Sequence, residues 1–412
     1  MLNQNTKVYK ILTSVVLLGT CCTNLLFAQA DGLLYGIVTL KSGQSYQGQI
    51  RWNNREAMWN DIFEGYKSER PYQNLLSAEE SKKLQAEEGD FKFGFMELWE
   101  DRNPNQSFMF RCNFGNIVKL EASGSNRVSL YLKNGQWINL KAEGGNIDDP
   151  IVVVDKSLGR QQVKSAGIKT IEFREAPRDL KSAFGDPIYG QILTSKGSFE
   201  GYITWDDEER MGVDIISGKQ NGKQLDIRFQ DISSIKAERD GSLITLKTGR
   251  ELFLNNHDDV DHGNHGITIR GLPYGSLEID WDNFISATFT SPPATGFNYN
   301  SYTHPNLLKA TVRTTSGAKI TSQVVYDLDE IYDIEMLNGS NGRFLYLIPF
   351  SAISQIEPQN DKFSLVSIKS GEQFLLGDSA DVDSRNNGLI LKLPGNKARF
   401  IKWDQVKSIQ FE

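Results

Sequence analysis

Apolar and polar residues alternate along most of the chain, and glycine interrupts the alternation at short intervals. From Leu33 the sequence reads LLYGIVTLKSGQSYQGQIRW, which predicts two strands joined by a tight turn. The design returns at Ile188 as IYGQILTSKGSFEGYITW and at Leu307 as LLKATVRTTSGAKITSQVVY. After the first two copies the register continues, so that Met58 and Asp61 lie over Met211 and Asp214. Each copy closes with strand, short turn and strand: FMFRCNFGNIVKL from Phe108, LDIRFQDISSIKA from Leu225 and FLYLIPFSAISQI from Phe344.

A second type of unit starts near Val128 (VSLYLKNGQWINL), Leu243 (LITLKTGRELFL) and Leu365 (LVSIKSGEQFLL). Residues 249–289 recur without a gap at 371–411, sharing Asp259-Val260-Asp261 with Asp381-Val382-Asp383, Trp281-Asp282 with Trp403-Asp404, and a final Phe289 with Phe411. The first copy has the looser Asn146-Ile147-Asp148. Such self-similarity marks a duplicated supersecondary unit. The two types alternate three times, giving tandem pairs at 33–175, 187–290 and 307–412. The segments EAPRDLKSAFGDP and SPPATGFNYNSYTHPN between them read as linkers. Units of roughly 50 residues with about five strands each are too small for an open sheet, so closure is expected. The expected fold is all-β: six small barrels in three tandem pairs, the two members of a pair packed together because so small a core is marginal alone.

One insertion, residues 66–106, breaks this pattern. Ser77-Ala78-Glu79-Glu80 is a capping box, the following KKLQAEE favours helix and Gly89 supplies a stop, so a helix is expected within 76–90. Around it stand Phe91, Phe93, Phe95 and Trp99, which cover the end of the first barrel or form a partner-binding patch.

The first-type units carry Ile37, Leu40, Gly43, Tyr46, Gly48, Ile50 and Met58, and again Ile192, Gly197, Phe199, Gly201, Ile203, Asp206 and Met211. In this they resemble Sm-like and other SH3-like small β-barrels, while Pro349-Phe350-Ser351-Ala352-Ile353 is similar to the closing strands of PRC-type barrels. The resemblance implies a barrel fold. It does not bring RNA binding with it, because Trp59 and Gly212 stand where Sm-like RNA sites have Asn, and RFQDI and IPFSAI lack the glycine of the closing turn.

Composition adds a compartment. Lys7 and Lys10 precede an apolar run that ends in Ala28-Gln29-Ala30, so residues 1–30 read as a secretory signal with an A-x-A cleavage site. The polar Thr20-Cys21-Cys22-Thr23-Asn24 argues against a membrane anchor, and Thr20 before Cys21 argues against lipidation. The expected mature chain is exported to the periplasm or beyond, with no transmembrane segment. It keeps 43 basic and 52 acidic residues and one cysteine, Cys112. No internal disulfide is open to it, and its acidity disfavours nucleic acid and anionic lipid as partners.

His257, His262 and His265 fall within nine residues beside Asp259 and Asp261, which as a metal set would make the protein a metal-assisted hydrolase. The aligned Ser379, Ser384 and Asn387 show that the repeat does not need histidine there. The Asp-Val-Asp loops offer carboxylates for calcium, or for loop N–H groups while Val plugs the interior. Trp281 and Trp403 suit core packing or, if exposed with Trp52 and Trp205, stacking on a glycan. With no nucleophile, base or cofactor motif in chain order, the sequence favours a non-enzymatic envelope scaffold or binding module for a protein partner. A carbohydrate or cell-wall module is the alternative.

Overall fold

The computed structural model describes residues 32–53, 55–69, 75, 77–79, 82, 109–124, 127–142, 144–177, 179–293, 296–395 and 397–412. The expected leader lies outside them, as does most of the insertion with Phe91, Phe93, Phe95 and Trp99; of the helix expected within 76–90 only residues 77–79 and 82 are described.

The protein is all-β. Among the described residues the first repeat has ten strands: β1 (Tyr35–Leu40), β2 (Ser45–Trp52), β3 (Ile62–Tyr66), β4 (Met109–Asn113), β5 (Ile117–Ala122), β6 (Arg127–Leu132), β7 (Trp137–Lys141), β8 (Ile151–Asp155), β9 (Gly159–Val163) and β10 (Ile168–Phe173). Alternation sets their faces: in β3, IFEGY, Phe63 and Gly65 are buried while Ile62, Glu64 and Tyr66 are partly exposed. Eight strands form one antiparallel sheet in the order β7-β6-β5-β10-β1-β2-β8-β9, and β3 and β4 make a separate hairpin. Strands β11 (Tyr189–Thr194) to β20 (Phe284–Thr290) and β21 (Lys309–Thr314) to β30 (Val406–Phe411) repeat the same pairings ten and twenty strands on.

This pairing corrects the expectation of six separate barrels, since no closed barrel forms among the described strands. The last strand of the second-type unit, β10, lies between β1 and β5 of the first-type unit. Likewise β8 extends β2, and β6 extends β5. The two units of a pair are therefore halves of one sheet. The reason is physical: a half of about 50 residues gains more core by sharing strands than by closing on itself.

Glycine marks where these strands come closest. Gly36 and Gly48 face each other across β1 and β2, as Gly190 and Gly201 do in the second repeat. A Cβ on Gly48 would stand 1.9 Å from the Val154 carbonyl oxygen, and one on Gly190 2.1 Å from that of Thr288. These glycines are thus required by a neighbouring backbone.

The repeats do not hang as beads. Strand β24 (Phe344–Pro349) of the third repeat pairs with β19 (Gly275–Ile279) of the second, from Ser276 opposite Leu347 to Ile279 opposite Phe344. The second and third repeats consequently share a continuous sheet and one apolar core. Phe184, on the first supposed linker, is buried with Leu33, Met58, Tyr202 and Met211 between repeats one and two. Tyr299 and Tyr302, on the second, pack against the core of repeat one.

Equivalent large residues end the second strand of each repeat. Trp52, Trp205 and Tyr326 are all buried. Around Trp205 the rings of Phe229, Trp281, Phe284 and Phe289 have centroids 5.2 to 6.4 Å away. Burying such a side chain contributes roughly 2–3 kcal/mol, and the edge-to-face geometry adds to it.

Candidate functional site

The Asp-Val-Asp loops prove to be structural fasteners. Trp205 Nε1 donates to the Asp259 carbonyl at 2.8 Å, Trp52 Nε1 to that of Asn146 at 2.5 Å, and the Tyr326 hydroxyl to that of Asp381. The side chains of the same three residues accept the backbone N–H of the facing hairpin strand: Ser217 to Asp259 at 2.6 Å, Asn338 to Asp381 at 2.8 Å and Glu64 to Asn146 at 2.6 Å. Val260 and Val382 between the acids are fully buried. Asp261 closes its own turn, accepting the His257 and Gly263 N–H groups.

Each histidine of the dense segment pairs with a different carboxylate. His257 lies 3.2 Å from Asp259, His262 3.3 Å from Asp282 and His265 2.9 Å from Asp206. Hydrogen bonding to Asp206 raises the His265 imidazole above its usual range. Among the described residues, no three His, Cys, Asp or Glu side chains converge as metal ligands.

A third set of carboxylates ties the repeats together. Asp61 Oδ2 accepts the N–H groups of Ala57 and Met58, Asp214 Oδ2 those of Arg210 and Met211, and Glu335 Oε1 those of Ile331 and Tyr332. The other oxygen of each meets a cation from another repeat. Asp61 faces Arg210 and Arg270, both at 3.0 Å; Asp214 takes a two-point pair from Arg51; and Glu335 takes Lys67 at 2.5 Å. Burial works to raise the Asp61 carboxyl, but Arg270 and Arg210 hold it below the usual carboxylate range. Around Lys67 the balance reverses, because Asp329 is also 2.8 Å away and Glu330 and Asp381 stand nearby. Burial pushes Asp329 up to about 7 and Asp381 up to about 6.

Trp281 and Trp403 occupy matching 3₁₀ turns before the last strand of their repeats and are only 5% and 7% exposed; Ser165 holds that place in the first. With Trp52 and Trp205 also buried, none of the four offers a face to a sugar. Trp137, at 59%, is exposed. Cys112 is buried, which pushes its thiol well above the usual range.

The remaining feature is a groove that sequence reading missed. In every repeat the chain before the first strand, the residue after the Met58 position and the 3₁₀ turn before the fifth strand are joined by the same backbone bonds. These are Trp59 N–H to Gly32, Gly212 to Asp186 and Asp333 to Asn306, then Gly115 to Trp59, Gln230 to Gly212 and Ser351 to Asp333. The rim is a lysine at the turn after the sixth strand, Lys133, Lys247 or Lys369. In repeat one the groove is filled by the chain's own residues 297–305. The Tyr299 ring lies over Trp59 with centroids 4.7 Å apart and its hydroxyl donates to the Ile117 carbonyl at 3.2 Å. Lys133 donates to the carbonyls of Tyr299 and Tyr302 and sits 3.8 Å from the Tyr299 ring centroid. In repeat three the corresponding cleft is open among the described residues, with a volume of about 630 Å³ between Tyr332, Asp333, Phe350, Ser351, Lys369 and Phe411 on one side and Asn134, Gln136 and Pro305 on the other; in repeat two it is about 90 Å³. The signals available in the sequence were the lysine recurring after the sixth strand and the tyrosines of a Pro- and Asn-rich stretch.

No family model, curated protein or solved structure matches this chain.

Proposed function

We propose that the protein is a non-catalytic, exported scaffold that binds a protein partner through the cleft of its third repeat. The observation that carries this reading is the asymmetry of the three grooves: one is filled by a peptide segment in cis and an equivalent one stands open. Its volume of about 630 Å³ falls in the range of ligand sites and its walls mix aromatic floor with a few polar groups. The acids and histidines best placed for chemistry are engaged in holding loops and repeats together, which supports a binding role over a hydrolytic one. Burial of Trp52, Trp205, Trp281 and Trp403 favours a protein over a glycan partner.

Affinity capture from the native envelope with residues 31–412 tests this. A protein recovered in defined stoichiometry is expected, and retention on polysaccharide or cell-wall material without any protein would defeat the reading. A parallel chain lacking 83–106 preserves β3, β4 and Lys67 and asks separately whether the aromatic insertion takes part.

A further inference from the structure

The identity of the partner segment can be read from the groove that the chain fills itself. We infer that the cleft of the third repeat takes a short peptide turn from a partner protein, with tyrosine at the position of Tyr299 and a small residue three positions later. This rests on the binding role proposed above and gives it a chemistry.

The argument starts from what repeat one recognises in residues 297–305. Two backbone carbonyls are taken by a lysine, one phenol hydroxyl reaches a backbone carbonyl, and one aromatic ring lies in the groove. Asn134 Nδ2 adds a bond to the Pro305 carbonyl at 2.9 Å. The segment turns tightly here, with a 3₁₀ turn at Tyr299–Ser301 capped by Asn298, and the lysine takes the carbonyls at its two ends, so a short turn of another chain can supply the same groups.

Repeat three keeps the parts that hold the backbone and the first ring. Phe350 and Phe411 stand where Phe114 and Phe173 stand, Ile353 carries the carbonyl equivalent to that of Ile117, and Lys369 replaces Lys133. Lys133 is half-buried under the segment, whereas Lys369 is exposed and donates to the Glu412 carbonyl at 3.1 Å. An ammonium has three donors, so Lys369 retains capacity for the carbonyls of an incoming turn.

Two exchanges define the preference. A Cβ on Gly115 would stand 2.1 Å from the Tyr302 ring, and repeat three has Ser351 in that place. A ring at the Tyr302 position is therefore excluded, and a small side chain is admitted. Asp333 replaces Trp59, so the tyrosine loses its stacking partner and the phenol bond and lysine clamp carry more of the recognition. Repeat two, with Gln230 at the same place and a cleft of about 90 Å³, is too shallow for the same ligand.

The probe is a labelled synthetic peptide of residues 296–306 carrying Tyr302→Ala, titrated by fluorescence anisotropy against the full mature chain. Saturable binding is expected. It should weaken at least about tenfold in Lys369→Ala, as loss of charged hydrogen bonds requires, and at least about tenfold when the peptide also carries Tyr299→Ala. The unsubstituted peptide should bind more weakly than the Tyr302→Ala peptide. Absence of binding at millimolar peptide, or binding that survives Lys369→Ala, overturns the assignment. Envelope capture repeated with Lys369→Ala separates the two levels: partners still recovered leave the scaffold reading standing while the groove assignment falls.

Discussion

The two junctions that the first repeat makes with its neighbours are built from the same kind of turn and charged differently. Toward the second repeat, Asp61 faces the guanidiniums of Arg210 and Arg270, Glu56 also pairs with Arg210 at 3.3 Å, and Arg51 returns a two-point pair to Asp214, so three guanidiniums meet three acids. Toward the third, one buried ammonium, Lys67, serves Asp329 and Glu335, with Glu330 and Asp381 close by. Balanced charge at one junction and excess acid at the other make the same fold respond differently to a proton at the two. Neither arrangement is strong evidence for stability as such, because desolvation offsets much of the attraction between buried charges. What both provide is a heavy penalty for mispairing, and so a fixed arrangement of the repeats.

The largest effect is expected at the acid-rich junction. Lys67→Met leaves Glu335 and Asp329 buried without their cation and should cost about 3–5 kcal/mol, read as a lower urea midpoint. Adding Glu335→Gln should restore part of that loss; an unchanged midpoint in the single variant would show that Lys67 is not the keystone of its junction. Asp61→Asn, at the other junction, keeps an acceptor for the Ala57 and Met58 N–H groups but strips charge from Arg210 and Arg270. It should cost about 2–3 kcal/mol.

pH distinguishes the junctions without mutation. Asp329 and Asp381 have native values raised from 3.8 to about 7 and about 6, so between these limits the folded chain holds more protons than the unfolded one. Their contribution is fully present below pH 3.8 and is lost as pH rises toward 7. Asp61 is depressed, so its contribution is present above 3.8 and is lost as pH falls through its lower native value. A urea midpoint series should show the first slope reduced in Asp329→Asn and the acid limb reduced in Asp61→Asn. A profile flat from pH 4 to 7 would remove the contrast. The smallest effect belongs to His262→Ala, an exposed residue paired with Asp282 and remote from both junctions. It should alter neither the midpoint nor the metal content measured by elemental analysis, and loss of stoichiometric zinc would reinstate a metal site.

The strands themselves were legible, because alternation and glycine turns are local properties of the sequence. The choice of partner was not: Ile171 of β10 pairs with Val38 of β1, more than a hundred residues away, and alternation says nothing about which edge a strand joins. The Asp-Val-Asp loops could be read as N–H acceptors from their recurrence, yet the donors on β13 (Ile215–Gln220) and β23 (Met336–Asn341) were hidden for the same reason. Asp61 and Asp214 aligned in sequence, but the cations facing them come from other repeats. The 291–306 segment was misleading because Pro, Gly and Asn dominate a composition in which two tyrosines provide the packing.

The position of β10 bears on how such a chain is made. Because the final strand of each repeat enters between its first and fifth strands, a ribosome must release the whole repeat before the middle of the sheet can be filled. Until then the sheet is split in two, with the flanks of β1 and β5 unpaired. Assembly is therefore forced to be late and all at once for each repeat, and the point of greatest sensitivity to a truncated product is the end of the repeat. Losing residues 406–411 would remove the centre of the third sheet, whereas losing the exposed hairpin edge at β29 (Lys397–Ile401) would only trim its border.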